Sequence, residues 1–508
     1  MNQVKAVFRA FLTATAIAAT VASGAMVAQA TETPLPPGTT RLAGSDRYET
    51  SAAVSRNTFT APIKAAFVAT GADYADALAG GPAAARQGGP VLLVRRDGIP
   101  PAAQKELARL RPSTIYVLGG TGAISAATAQ KLRSYSGSVV RLSGSDRYGT
   151  ATAVSRRGWS SAPSVFLSSG AGFADALSGG AAAAHLNVPL LLTQPTRLTS
   201  VTRTELARLR PSRVYVLGGT GAVSNAVISS VRSALPSASV SRLAGADRYG
   251  TSAQVARTIW SSGASSMFFA TGLNFADALS GTPAAQVNGA PLLLTKQTCL
   301  PSTVYSVRAA FAPRTTAILG GTGVLSSSAA TQECGVSRYS GSGDSVINIT
   351  KPGGLSSPAI ATLTHNGSSN FIVWGLDSKL NETDLLANDI GVYKGTVLFD
   401  ENSVSTRLEI KADGAWTIAI RSTAAAPRIA GKAASGHGDA VLNWSGSAST
   451  AYLTHNGSSN FIVEAYGSNG AWDLIANEIG AYRGTVRWPA GPRVISIRAD
   501  GDWTISIN

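Results

Sequence analysis

The sequence predicts an α/β protein in three tandem units, followed by two small all-β units. Three observations predict it. One block recurs three times between residues 41 and 340, with a period of about 100 residues. Inside each block, short runs of Val, Ile and Leu alternate with Ala-rich helical stretches, as parallel strands buried on both faces do. Beyond a Gly/Ser-rich stretch at 340–345, alternating β-branched residues with Asp-Gly and Asn-Gly turns are copied twice.

Composition sets the outer limits. The chain has 508 residues, 44% hydrophobic and 14% charged, too long for one compact domain and too apolar for disorder. Two Cys exclude a disulfide-dense scaffold and a Cys-based zinc finger, and four His leave little for a metal centre. No cofactor or metal is expected. Residues 31–340 hold 29 Lys and Arg against 13 Asp and Glu, net +16, whereas residues 341–508 carry −3. Most of the cations are Arg, whose planar fork suits phosphate and carboxylate, so an anionic polymeric partner is one reading and solubility the other.

The N-terminus reads as a secretory signal peptide: Lys5 and Arg9, a small apolar run from Ala10 to Val27, then Ala28-Gln29-Ala30 for cleavage after Ala30. An uncleaved anchor is the alternative. No later run approaches the roughly 20 apolar residues a bilayer needs. Outside the cytoplasm Cys299 and Cys334 can pair, with two buried thiols as the other possibility.

Each repeat opens on a strand and a helix start: RLAGSDRY at 41–48, RLSGSDRY at 141–148 and RLAGADRY at 242–249. GVSRYSG at 335–341 echoes the opening strand a fourth time. Asp76, Asp175 and Asp277 follow in ADAL segments, where a helix cap or helix-dipole partner is the simplest role. PVLLV, PLLLT and PLLLT come next, then VLGGTGAIS, VLGGTGAVS and ILGGTGVLS. The Gly-Gly pairs read as tight strand-to-helix turns, with backbone N–H contact to an anion as the alternative; they lack the Lys-Ser/Thr of a phosphate loop. Arg47, Arg147 and Arg248 sit beside an Asp and a Tyr, as an ion pair that fixes the repeat or as a thrice-repeated anion fork giving avidity.

This combination of motifs resembles the cell wall binding repeat type 2 module, found in threes in exported proteins of Gram-positive bacteria. The resemblance runs from Thr40 to about Tyr339. It implies three Rossmann-like modules in a pseudo-threefold arrangement. It also implies a secreted, cell-wall-associated protein, held noncovalently through an anionic secondary cell-wall polymer. It ties attachment to the Leu-Leu motif, here Leu92-Leu93, Leu191-Leu192 and Leu293-Leu294; the first copy departs from the pattern at Val91 and Val94.

The C-terminal pair copies LTHNGSSNFIV at an offset of 90 residues, from His365 to His455. Each copy is expected to be a β-sandwich or jelly-roll-like unit. The two His read as solvent-side turn residues, Trp416 and Trp503 as core, and Asp413-Gly414 and Asp500-Gly501 as hairpin turns. Carboxylate pairs Glu382 with Asp384 and Asp473 with Glu478 read as surface decoration.

The expected division is a signal peptide at 1–30, a linker at 31–40, repeats at 41–140, 141–241 and 242–340, a β unit at 341–421, a linker at 422–439 and a β unit at 440–508. The expected function is a noncatalytic surface protein displaying the β pair toward a glycan or a host or neighbour surface ligand. A wall hydrolase (glycosidase or peptidase) with its site in the β units is the alternative, although residues 341–508 hold no G-x-S-x-G or H-E-x-x-H. Nucleic acid is not an expected partner, since basic and aromatic residues do not interleave. Nor is a membrane after signal cleavage.

Overall fold

The computed structural model describes residues 35–429, 431–467 and 470–508; the expected signal peptide lies outside the described residues. The first repeat folds as β1 (Thr39–Leu42), α1 (Arg47–Thr58), β2 (Ala65–Thr70), α2 (Gly80–Arg86), β3 (Val91–Val94), α3 (Pro101–Leu110), β4 (Thr114–Leu118) and α4 (Ala126–Lys131). The second gives β5 (Ser138–Leu142), α5 (Arg147–Gly158), β6 (Ser164–Ser169), α6 (Ala174–His185), β7 (Leu190–Thr193), α7 (Ser200–Leu209), β8 (Arg213–Leu217) and α8 (Asn225–Ala234). The third gives β9 (Ser239–Leu243), α9 (Arg248–Ile259), β10 (Ser266–Thr271), α10 (Ala276–Val287), β11 (Leu292–Thr295), α11 (Ser302–Phe311) and β12 (Thr315–Leu319).

Local chemistry sets these boundaries. Asp46, Asp146 and Asp247 cap α1, α5 and α9, each carboxylate accepting from the backbone N–H three residues on. Helices α3, α7 and α11 stop at Arg111, Arg210 and Ala312, all in the left-handed region, and the Pro that follows each cannot extend the helix.

The three sheets are parallel, in the orders β3-β2-β4-β5, β7-β6-β8-β9 and β11-β10-β12-β1. The opening strand of each repeat therefore completes the sheet of another repeat. Strand β1 closes the series, pairing Thr39 with Thr316 through Leu42 with Leu319. The fourth echo of the opening strand is not used this way, because β1 already holds the place beside β12. Helices α2, α6 and α10 pack mutually. Their small residues permit it: a methyl group on Gly81 would lie 2.6 Å from Thr282.

One buried pair differs among the repeats. The Ser155 hydroxyl donates to Glu205 at 2.6 Å, and Arg156 and Arg208 also donate to that carboxylate. Ser55, Glu106 and Arg109 repeat the arrangement in the first copy. The third copy has buried Ala256 and Val307 at these positions.

The rest of the described chain is antiparallel. Strands β13 (Val336–Ser342), β14 (Ser345–Asn348), β15 (Ala359–His365), β16 (Asn370–Leu376), β17 (Glu382–Ile390), β18 (Tyr393–Phe399), β19 (Arg407–Lys411) and β20 (Ala415–Ser422) form sheets β13-β20-β15-β18 and β14-β19-β16-β17. Strands β21 (Ala433–His437), β22 (Ala440–Trp444), β23 (Ser449–His455), β24 (Asn460–Tyr466), β25 (Trp472–Ile479), β26 (Tyr482–Trp488), β27 (Arg493–Ala499) and β28 (Asp502–Ile507) repeat that order. Strand β13 is the fourth echo, and it begins before residue 341; β21 lies within the expected linker 422–439. Trp416 and Trp503 are core, each 2% exposed.

The two His are not solvent-side residues. His365 and His455 are buried and stack on Phe371 and Phe461 at 4.7 Å. Their Nδ1 atoms face the carbonyls of Gly391 and Gly480. Asp413 and Asp500 accept from the backbone N–H groups of Ser368, Ser369, Ser458 and Ser459, which fastens each Asn-Gly loop to the opposite hairpin. Among the described residues no helix is long and apolar enough to cross a membrane.

Glu205→Val alone strands the buried Ser155 hydroxyl and is expected to cost about 1–3 kcal/mol in denaturant unfolding. Adding Ser155→Ala and Arg208→Ala reproduces the third copy's Ala256, Val307 and Ala310 and is expected to recover most of that loss.

Candidate functional site

The repeated arginines lie at the seams between modules. Arg47 and Arg147 donate to the carbonyls of Gly71 and Gly170 at 2.5 Å, and Arg248 donates to that of Gly272. Each guanidinium also covers a ring from another repeat: Arg47 over Phe275 at 5.7 Å, Arg147 over Tyr74 at 5.6 Å and Arg248 over Phe173 at 5.7 Å. The rings meet one another, Tyr74 to Phe173 at 5.5 Å, Tyr74 to Phe275 at 5.7 Å and Phe173 to Phe275 at 6.2 Å. Tyr48, Tyr148 and Tyr249 pack onto Gly71, Gly170 and Gly272, where a side chain would collide. The neighbouring Asp of each motif caps its helix, so the motif is held by capping and stacking rather than by the expected local ion pair. Arg47 and Arg147 are half-buried; Arg248 is exposed.

Asp175 and Asp277 approach these cations from the first turns of α6 and α10. Burial raises the Asp277 carboxyl above its ordinary value, against the pull of Arg47. Burial raises that of Asp175 too, opposed by the Thr251 hydroxyl and by Arg248. A carboxyl raised on folding contributes stability below its unfolded value, and that stability is lost as pH rises through the folded value.

The six leucines do not form a contact surface. Leu92, Leu93, Leu191, Leu192, Leu293 and Leu294 are each 0% exposed, inside the central layers of the modules. Their strands instead deliver exposed cationic loops: Arg95 and Arg96 after β3, Arg197 after β7 and Lys296 after β11. These loops sit at the carboxyl ends of parallel strands, where open α/β sheets bind ligands. Cys299 and Cys334 are joined in a disulfide that pins the third of these loops.

Sequence reasoning passed over the first Arg of each motif. Arg141 donates to the carbonyls of Gly119 and Ile124 at 2.7 and 2.8 Å; Arg41 and Arg242 reach Gly320 and Gly218 in the same way. Those glycines have φ of 90°, 100° and 87°, so the Gly-Gly segments are tight turns clamped by arginine. The signal was available, since Arg precedes Leu in all three copies.

In the β units Asp384 is not surface decoration. It is half-buried and accepts from the Asp400 N–H at 2.6 Å. Asp473 lies 3.6 Å from Arg487 and 3.5 Å from Arg493. Both carboxylates are engaged structurally.

Parallel modules locked through a shared aromatic centre, with cationic loops at their strand ends, define a repeat-built binding protein. The chain belongs to the cell wall binding domain 2 family, whose model matches residues 41–129, 141–228 and 242–330. It is 35% identical over 205 residues to the N-acetylmuramoyl-L-alanine amidase LytC of Bacillus subtilis (strain 168), spanning 40% of each chain. It is 28% identical over 269 residues to the amidase enhancer of the same organism, 53% of this chain and 36% of that one. The chain thus spans less than half the length of either relative. Among solved structures it is similar to Cwp6 and Cwp8 of Clostridium difficile, with TM-scores of 0.52 and 0.53 and identities of 25% and 26%. Those matches cover 59% and 57% of this chain, and 48% and 50% of the other two.

Arg47→Lys, Arg147→Lys and Arg248→Lys keep the charge but lose the planar stack; together they are expected to lower the melting temperature while wall pelleting persists. Asp277→Asn is expected to melt no lower than the parent at neutral pH and to flatten the pH dependence of melting in the acid range.

Proposed function

We propose that the three modules hold this chain noncovalently to the cell wall through an anionic secondary polymer, and that the β pair is displayed outward as a noncatalytic ligand-binding unit. The observation that carries this is the net +16 of residues 31–340, exposed as Arg95, Arg96, Arg197 and Lys296 at equivalent strand ends of three linked sheets. Three weak grips on one rigid body bind a polymer with avidity, because the second and third contacts are intramolecular. The buried leucines serve by setting those loops.

Within this reading each module is Rossmann-like, and the cyclic order of sheets, rings and arginines supports a pseudo-threefold axis. The strand order supports a jelly-roll reading of each β unit. We keep the three-repeat, two-β-unit division as a proposal, with the first β unit taken from β13 and the second from β21. Export to the wall is supported by the disulfide.

A wall-hydrolase reading draws on Glu401, whose carboxyl is pushed up to about 7 by burial and by the charges of Asp384 and Glu464. Incubating the full chain with purified peptidoglycan, and assaying new reducing ends and amino groups, is expected to show no turnover. Turnover abolished by Glu401→Gln would establish the hydrolase.

The mature chain is expected to pellet with purified walls and to release as salt rises. Walls stripped of anionic secondary polymer are expected to lose it; undiminished pelleting with stripped walls would refute the proposed attachment.

A further inference from the structure

The two β units share most of their sequence, yet one end of the second is rebuilt. Where the first has Ile349, Leu376, Thr383 and Phe399, the second has Trp444, Tyr466, Trp472 and Trp488. The first unit closes this end with a buried Lys351–Asp400 ion pair at 2.5 Å; Gly446 and Pro489 stand there in the second. Trp444, Tyr466 and Trp472 of this end line a cleft of about 690 Å³ between the units, within the range of small-ligand sites.

The cleft combines aromatic faces with hydrogen-bonding groups. Trp444 is buried in its wall, packed edge-on against Trp488. Trp472 stands at the rim, 55% exposed. Glu464 accepts from the Tyr466 hydroxyl at 3.0 Å and from the Trp472 indole at 3.2 Å, which orients both rings. The first unit supplies Glu401 from the other side. The buried Arg493 Nε–H, also in the wall, has no protein acceptor among the described residues.

We propose that this cleft binds a neutral saccharide, with one ring stacked on Trp472 and its hydroxyls bonded to Glu401 and the exposed Arg428, both in its lining. An aromatic face takes the C–H face of a sugar, and carboxylate with guanidinium takes its donors and acceptors. Carboxylate and arginine lining the same cleft favour an uncharged ligand over either ion. The inference rests on reading the β pair as a ligand-binding unit.

The test is calorimetric titration of the full chain with neutral tetrasaccharides of glucose, galactose, mannose and N-acetylglucosamine, and with a trilysine peptide. At least one saccharide is expected to bind. Trp472→Ala, at an exposed position, is expected to weaken it by about tenfold or more. Trp374→Ala, at the first unit's counterpart of Glu464, is expected to leave it unchanged. No saccharide binding, full affinity in Trp472→Ala, or heat with trilysine alone would overturn the proposal. Wall pelleting on the same samples separates the two readings: failed titration with intact pelleting removes the cleft, and failed pelleting with intact titration removes the anchor.

Discussion

Strand β1 lies parallel to β12, and Arg41 donates to the carbonyls of Gly320 and Leu325. This contact joins the beginning of the described chain to the end of the third repeat, and the remaining architecture depends on it. Without it the third sheet would carry an open edge beside β12, with unpaired backbone groups. With it, every module shares a sheet with its neighbour, and the small-residue faces of α2, α6 and α10 are held together. The repeats are mechanically one body, which avidity for a polymer requires.

The seam chemistry follows from that closure. Exchange of the opening strand carries each Asp-Arg-Tyr segment to the strand ends of another repeat's sheet. There the guanidinium finds a foreign ring and, for Arg47 and Arg248, a foreign carboxyl. Residues that read as candidate ligand contacts are thus occupied in joining modules. The cationic loops after β3, β7 and β11 are left facing outward. The third module differs most, with Ala256 and Val307 in place of a buried Ser–Glu pair and with a disulfide beside its loop. Three related but unequal loop settings are the result.

Much of this was legible in the sequence, and the losses share a cause. Strands such as VLLV and helices such as PAAQKELARL announce themselves by local pattern and by Pro at their ends. Strand exchange does not, because the Arg-Leu strand has the same sequence whichever sheet it joins. His365 and His455 misled for a similar reason. Beside an Asn-Gly turn a His looks solvated, and only the distant Phe371 and Gly391, or Phe461 and Gly480, bury it. The six leucines were readable as buried strand from composition, and all six are buried; their tie to attachment came by resemblance. The cleft between the β units drew no notice, since Trp472 has no counterpart in the first copy and Glu401 belongs to the other unit.

The pairing of β1 with β12 also dictates an order of assembly. Arg41 and Gly320 are 279 positions apart, so the earliest strand has no partner until almost the whole three-module segment exists. Bridging so long a loop is entropically costly and slow. If the chain is threaded through an export channel from its N-terminus, the structure cannot lock before most of it has emerged.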